Sequence, residues 1–324
     1  MKDQYQREID YLRVSVTDAC NFCCEYCKPN EAKSDEGQLM TLDELFRICK
    51  LASELGIHSI KITGGEPLLR PGIVKFVKNL KNLEGIDSVT MTTNGFLLKN
   101  KIAELKEAKI DCITISLDSL DKERFYKITK RDALDTVLEA LYTCLQEGIR
   151  VKVNCVVTKD FDEWEAFYNL ARDNKIDVRF IEMMPLGPGK KLGVGMENYI
   201  YQHISKFFDE NDLVTEKKGS GPAVYYKKPD MKGSIGVIDA VSHSFCSSCN
   251  RIRITSHGML KPCLASPMLI DIKHKLRTGA TDIDLMKILA SSIFKKPVSH
   301  HFQDAFKDRQ TEPVEQSGMY EIGG

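Results

Sequence analysis

The chain has 324 residues, and its 46 basic and 46 acidic side chains balance to a formal charge of 46 − 46 = 0. That balance excludes a general nucleic-acid binder, which carries a strong basic excess, but leaves room for a basic pocket around one small anion. No run approaches ~18 consecutive apolar residues and the opening MKDQYQREIDYLRV has no apolar leader, so no membrane span or secretory signal is expected and the expected location is cytoplasmic.

From residue 11 to residue 184, strand-like and helix-like patterns alternate. Runs rich in Val, Ile and Thr at 11–16, 59–63, 88–92, 110–117, 150–157 and 177–183 predict strands. Apolar residues at helical spacing predict helices over 42–55, 73–80, 98–108, 133–147 and 164–174. Thr41 followed by Glu44 is a capping box ahead of the first helix, and Gly148 is a stop signal for a later one. Strands joined by crossover helices imply an α/β fold with a parallel sheet. Six βα units are fewer than a closed barrel needs, so the expected architecture is a partial (βα)6 barrel with ligands at the carboxyl ends of its strands. The stretch 185–195 holds four glycines and two prolines and reads as a linker or lid. A helix over 197–209 and short strands at 223–227, 236–238 and 251–255 follow, giving a barrel domain of residues 1–190 and a smaller domain of 191–324.

Eleven cysteines, an odd number in a chain without a leader, favour metal over disulfides. Cys49, Cys112, Cys144 and Cys155 fall in periodic apolar segments and read as small buried hydrophobes. Six others form two triplets. Cys20, Cys24 and Cys27 are spaced C-x3-C-x2-C directly after the first strand, with Cys23 a bystander among them. A four-iron, four-sulfur cube ordinarily takes four thiolates, so three leave one iron open to a ligand that is not protein. The alternative, a structural zinc, needs four closed ligands, and no histidine is close by in the sequence. Cys246, Cys249 and Cys263, spaced C-x2-C-x13-C, pose the same choice, with His243 and His257 as nitrogen donors that are more simply read as surface or packing residues.

The first triplet, with aromatic Tyr26 before its last cysteine, and the segment Thr63-Gly64-Gly65-Glu66-Pro67 after the second strand together resemble the radical S-adenosylmethionine superfamily. Phe245-Cys246-Ser247-Ser248-Cys249-Asn250-Arg251-Ile252-Arg253, Cys263 and the terminal Ile322-Gly323-Gly324 narrow the resemblance to the GTP 3′,8-cyclases, over residue 10 to the last. The resemblance implies two [4Fe–4S] clusters, one on each triplet, with S-adenosyl-L-methionine on the first and the guanine of GTP on the second. It implies cofactor contacts from Tyr26, Gly65, Ser116 and Met184, with Glu66 facing an ammonium group. For GTP it implies Arg13, Lys61, Thr92, Lys152, Arg251 and Arg253. Lys61 departs from the family, which generally has arginine there; it keeps the charge without the bidentate fork. Arg251 and Arg253 alternate on a strand and so share a face. With Gly323 and Gly324, whose tail is expected to enter the pocket, they form the implied catalytic set.

The implied reaction is one-electron cleavage of S-adenosylmethionine to a 5′-deoxyadenosyl radical, hydrogen removal from C3′ of GTP, and bond formation from C3′ to C8. The product is (8S)-3′,8-cyclo-7,8-dihydroguanosine 5′-triphosphate, the first intermediate of molybdenum cofactor biosynthesis. An electron donor and the next enzyme, the cyclic pyranopterin monophosphate synthase, are the implied partners, and the resemblance allows a homodimer. Two other readings stay open from residues alone: a radical enzyme with an auxiliary cluster acting on a peptide, and a zinc-binding adaptor.

Overall fold

The structure is a computed structural model that describes residues 1–27, 38–193, 196, 198–216, 218–307 and 318–323. Strands β1 (Tyr11–Ser15), β2 (Ser59–Thr63), β3 (Ser88–Thr93), β4 (Cys112–Ser116), β5 (Val151–Val157) and β6 (Ile176–Glu182) alternate with helices. Those helices are α1 (Leu42–Glu54), α2 (Ile73–Lys81), α3 (Ile102–Glu107), α4 (Lys122–Thr129), α5 (Leu134–Gln146) and α6 (Trp164–Asp173). β1 to β6 pair in parallel and in sequence order, the six βα units expected of the partial barrel. The capping box at Thr41 and Glu44 is present, and Gly148 takes the left-handed φ of 74° that ends α5.

Helix α4 escaped the sequence reading because it buries only Phe125 and Thr129, too few for a period; its signal was the cap, Asp121, which accepts from the Arg124 amide. After β6 come α7 (Gly189–Leu192), within the stretch read as a linker, and α8 (Tyr199–Ile204). α8 is shorter than the helix expected over 197–209; Ser205 caps it, and Phe207 and Phe208 pack onto the core from the following turn, while position 197 lies outside the described residues.

The remaining elements are β7 (Leu213–Val214), β8 (Val224–Tyr226), β9 (Ser234–Ile238), β10 (Arg251–Ile254), β11 (Met259–Lys261), β12 (Ile270–Asp271), α9 (Ile272–Arg277), α10 (Asp282–Phe294), α11 (Phe302–Lys307) and α12 (Met319–Ile322). Their strands join the same sheet, in the order β12-β11-β10-β1-β2-β3-β4-β5-β6-β9-β8-β7. β10 pairs with β1 and β9 with β6, both in parallel, so the parallel array grows from six strands to eight.

Side chains alternate across each strand. One set, including Ile60, Ile62, Val89, Met91, Ile113, Ile115, Val151 and Val153, is buried in the main apolar core. The other set faces the barrel interior and is largely polar or charged. All four cysteines read as hydrophobes are buried, each with the solvent exclusion that makes a thiol a packing group. No helix among the described residues is long and apolar enough to cross a membrane.

Candidate active site

The first triplet lies on the loop that leaves the carboxyl end of β1. Phe22 anchors this loop, packing edge-on to Phe96 and Phe125 with ring centroids 6.0 Å apart in each pair. The Cys23 and Glu25 amides donate to the carbonyls of Thr129 and Ile128 at the end of α4, at 3.1 and 3.2 Å. Cys20, Cys24 and Cys27 line the main cavity with Tyr26 between them, whereas Cys23 is not on its wall. The Asn94 amide group donates to Cys20 Sγ at 3.8 Å, a contact of the kind that tunes a cluster sulfur. Burial, with Asp118 and the other thiols, pushes the Cys24 thiol well above its usual range.

The turn after β2 is fitted to this loop. The Gly65 amide donates to Thr17 O and the Glu66 amide to Ala19 O, both at 2.7 Å. A Cβ on Gly65 would lie 2.2 Å from Ala19 O, and one on Gly64 would lie 2.7 Å from Thr17 O. The glycine pair therefore lets two backbones touch and holds the cysteine loop in place, with Gly65 still on the cavity wall. Gly65→Ala is expected to dislodge the loop and cost the first triplet its iron, read as about four irons fewer per chain than the unsubstituted protein binds. A Gly65→Ala protein with full iron content would contradict this role.

Glu66 is tied into the fold. Its Oε1 accepts from the Leu68 amide at 3.0 Å and the Thr93 hydroxyl at 2.7 Å, and its Oε2 accepts from the Asn94 amide at 2.7 Å. The residue is fully buried, and burial pushes its carboxyl up to about 7 despite these bonds. It fastens the end of β3 to the glycine turn. Asp118, which the sequence reading missed, is a cavity residue: its Oδ2 accepts from the Tyr26 hydroxyl at 2.7 Å and its Oδ1 from the Val156 amide at 2.8 Å. Burial raises its carboxyl to about 6. Tyr26 is thus fixed by its hydroxyl, leaving the ring beside the cysteines. Ser116 at the end of β4 and Met184 just past β6 line the same cavity.

Below this, the inward side chains of neighbouring strands form a cationic belt. Arg253 of β10 pairs in register with Arg13 of β1, which pairs with Lys61 of β2. Lys61 Nζ donates to Thr114 Oγ1 at 2.9 Å, and Arg179 Nη2 from β6 reaches the same oxygen at 3.2 Å. Like charges on adjacent strands are destabilising unless an anion lies among them. Burial, then Arg179 and Arg13, lowers the Lys61 ammonium well below its usual range; burial, then Arg13 and Arg251, does the same to Arg253. The Nε atoms of Arg13 and Arg179, the hydroxyl of Thr92 and Oδ1 of Asn154 are buried without a hydrogen-bond partner, and all four residues line the cavity. Unsatisfied donors on cations at one place are the signature of an anion site.

Lys152 stands apart. Its Nζ donates to Lys218 O at 3.3 Å and to the Tyr225 hydroxyl at 3.1 Å, with Asp177 at 3.8 Å, and it is not on the cavity wall. Arg179 was missed although it carries the sign that singled out Arg13, a charge interrupting an apolar strand.

The second triplet lies at the opposite end. β10 runs parallel to β1 with Arg251 opposite Tyr11, so Cys246 and Cys249, just before Arg251, are at the amino ends of the strands. β11 is antiparallel to β10, which returns Cys263 to that same end. The sequence reading placed ligands at the carboxyl ends; the second triplet departs from that because its strand enters the sheet beside β1. Cys246, Cys249, Cys263, Arg251 and Arg253 all line the one cavity. Burial pushes the Cys246 thiol up, but hydrogen bonds from His300 and Ser244 outweigh it and hold the thiol at about 6. Burial likewise opposes Arg251 and Lys296 at Cys249, which is held at about 7. Both are thus poised as metal ligands, which bind as thiolates. His257 is engaged with Asp18 at 2.9 Å and His243 with Asp239 at 2.6 Å, away from the triplet.

Each triplet brings three thiols to the cavity wall, the ligand set of a four-iron cube that takes its fourth ligand from outside the protein.

The tail enters from above. α12 sets Ile322 against Leu186, Ala240, Val241, Ala265 and Phe302, and Met319 lines the cavity. Gly323 takes φ 79°, and a Cβ there would meet Thr63 Oγ1 at 2.7 Å and Ser15 Cβ at 3.0 Å, so only glycine fits between the ends of β1 and β2. Its carbonyl accepts from Arg253 Nη1 at 2.6 Å. Gly324 lies outside the described residues.

A partial barrel with a three-cysteine loop after its first strand, cradled by a glycine turn after its second, defines a radical S-adenosylmethionine protein. Residues 14–171 match the radical SAM superfamily, and residues 176–302 match the family described as Molybdenum Cofactor Synthesis C. The GTP 3′,8-cyclase of Clostridium perfringens strain 13 is 42% identical over 331 positions, covering 100% of both chains. Those of Alkaliphilus oremlandii and Desulforamulus reducens are 41% and 38% identical, again over 100% of both chains. The chain belongs to the GTP 3′,8-cyclase family. Streptococcus suis SuiB bound to S-adenosylmethionine superposes with a TM-score of 0.66 at 16% identity, over 97% of this chain and 77% of that one. Native anSMEcpe with bound AdoMet gives 0.55 at 16%, over 90% and 82%. Those two likenesses carry the fold alone.

Proposed function

We propose that the chain converts GTP to (8S)-3′,8-cyclo-7,8-dihydroguanosine 5′-triphosphate, the first step of molybdenum cofactor biosynthesis, with S-adenosylmethionine at the first triplet and GTP between the cationic belt and the second. The observation that supports this most directly is that one cavity has a thiolate triplet at each end and unsatisfied buried cations between them. When bound, the first cluster and S-adenosylmethionine supply one-electron cleavage of the cofactor's carbon–sulfur bond, and the second cluster an open iron for the guanine.

The chain's own residues bind and orient. Arg13, Lys61, Arg179 and Arg253 hold the triphosphate and Thr92 donates to it. Lys152, already hydrogen-bonded and beside Asp177, adds charge from behind Thr114. Arg251, which reaches Cys249 Sγ at 3.9 Å, spans the thiolate and the nucleotide. Tyr26, Gly65, Ser116 and Met184 seat the cofactor, with Asp118 fixing Tyr26. Gly323 fills the slot between the ends of β1 and β2 and touches Arg253, excluding water while reactive carbon centres exist. An electron donor, the cyclic pyranopterin monophosphate synthase as product acceptor, and a homodimer complete the reading.

Anaerobic incubation with reductant, S-adenosylmethionine and GTP should give 5′-deoxyadenosine in an amount that depends on GTP; formation indifferent to GTP would refute the substrate. Arg179→Met should weaken GTP binding about 30-fold, roughly 2 kcal/mol for one charged partner lost in a desolvated site. Lys61→Arg should hold or improve that affinity because the fork suits phosphate oxygens. A large loss in Lys61→Arg, or none in Arg179→Met, measured by equilibrium binding, would show the belt to be misassigned.

A further inference from the structure

Lys296 follows α10 and is 2% exposed, on the wall of the cavity beside the second triplet. Its Nζ donates to Arg251 O at 2.8 Å and to Pro262 O at 2.7 Å. The first carbonyl is two residues past Cys249 and the second is one residue before Cys263, so a single ammonium ties together the backbones of two ligand loops. No carboxylate among the described residues pairs with it. Arg7, another buried cation at this end, does have one: its Nε bonds Asp3 at 2.6 Å while Nη1 donates to Cys246 O at 2.8 Å and Nη2 to Pro297 O at 2.6 Å.

Taking an ammonium out of water costs several kcal/mol unless an opposite charge is near. Two carbonyls satisfy its hydrogen bonds but leave its charge unmatched. A four-iron cluster on three thiolates is net negative, and reduction adds a further negative charge at the same place. Nearby positive charge and hydrogen bonding set the potential of such a cluster. On the reading that the second triplet holds a cluster, we infer that Lys296 is its counter-ion, a positioning residue that draws the Cys249 and Cys263 loops together and raises the potential at which that cluster is reduced.

The test uses the full chain carrying Cys20→Ala, Cys24→Ala and Cys27→Ala, so that only the second site can hold iron. Iron content and the midpoint potential, by titration followed by electron paramagnetic resonance, are compared for this protein and for the same protein with Lys296→Gln or Lys296→Arg. Glutamine keeps a hydrogen-bond donor on a slightly shorter side chain but lacks the charge. Expected is at least a tenfold shift of the one-electron equilibrium against the reduced state in Lys296→Gln, 59 mV at n = 1, with Lys296→Arg returning most of it. Loss of iron from Lys296→Gln alone also supports the inference. An unchanged potential and iron content in Lys296→Gln overturn it, as does loss of iron from both variants while each still melts cooperatively, since arginine keeps the charge. If the triple-alanine protein itself takes up no four-iron cluster, the reading of a second cluster fails instead.

Discussion

Replacing Cys20, Cys24 and Cys27 together by alanine should reduce S-adenosylmethionine cleavage to the uncatalysed background and, with the second cluster proposed above, leave about four irons at the other end of the barrel. The effect is expected to be total because Tyr26, Ser116, Asp118 and Met184 around the first triplet cannot deliver an electron to a sulfonium, and the second triplet lies at the opposite ends of the strands. GTP binding should persist, since the proposed belt of Arg13, Lys61, Arg179 and Arg253 is carried by β1, β2, β6 and β10 and not by the cysteine loop. Iron analysis, chromatographic assay of 5′-deoxyadenosine and a GTP titration on one preparation check all three parts. Residual cofactor cleavage above background would overturn the assignment of the first triplet.

Deleting Gly323 and Gly324 should abolish turnover while both clusters and GTP affinity stay intact, the affinity within about threefold, less than 1 kcal/mol. Arg253 loses the Gly323 carbonyl, and the slot between Ser15 and Thr63 opens to water. Neither change removes a thiolate or a belt cation. Gly323→Ala should approach the same loss, since a Cβ meets Thr63 Oγ1 at 2.7 Å and the backbone is left-handed there. Product assay beside iron content checks it, and unchanged activity in the deletion would refute a role for the tail.

The six βα units were legible because each strand and helix carries its own local period. What the sequence hid was non-local. Nothing in Ser234–Ile238 or Arg251–Ile254 tells that these strands extend the barrel on both sides, yet that pairing puts Cys246, Cys249 and Cys263 at the amino ends of the strands. Arg179 was visible by the same sign as Arg13 and was passed over. Asp118 and Lys296 were not, because their meaning lies in partners far along the chain, Tyr26 for one and Arg251 and Pro262 for the other. The bonds that Glu66 accepts from the Leu68 and Asn94 amides were hidden for a related reason, since the Asn94 partner comes from the next strand's end.

The two triplets line one cavity, and in the proposed reaction chemistry started at the first is completed on GTP held at the second. The decisive measurement is incubation of the reconstituted protein with reductant, S-adenosylmethionine and GTP deuterated at C3′. Deuterium is expected in the 5′-deoxyadenosine formed, in step with cyclised product. Deuterium-free 5′-deoxyadenosine, formed at the same rate with or without the nucleotide, would contradict it.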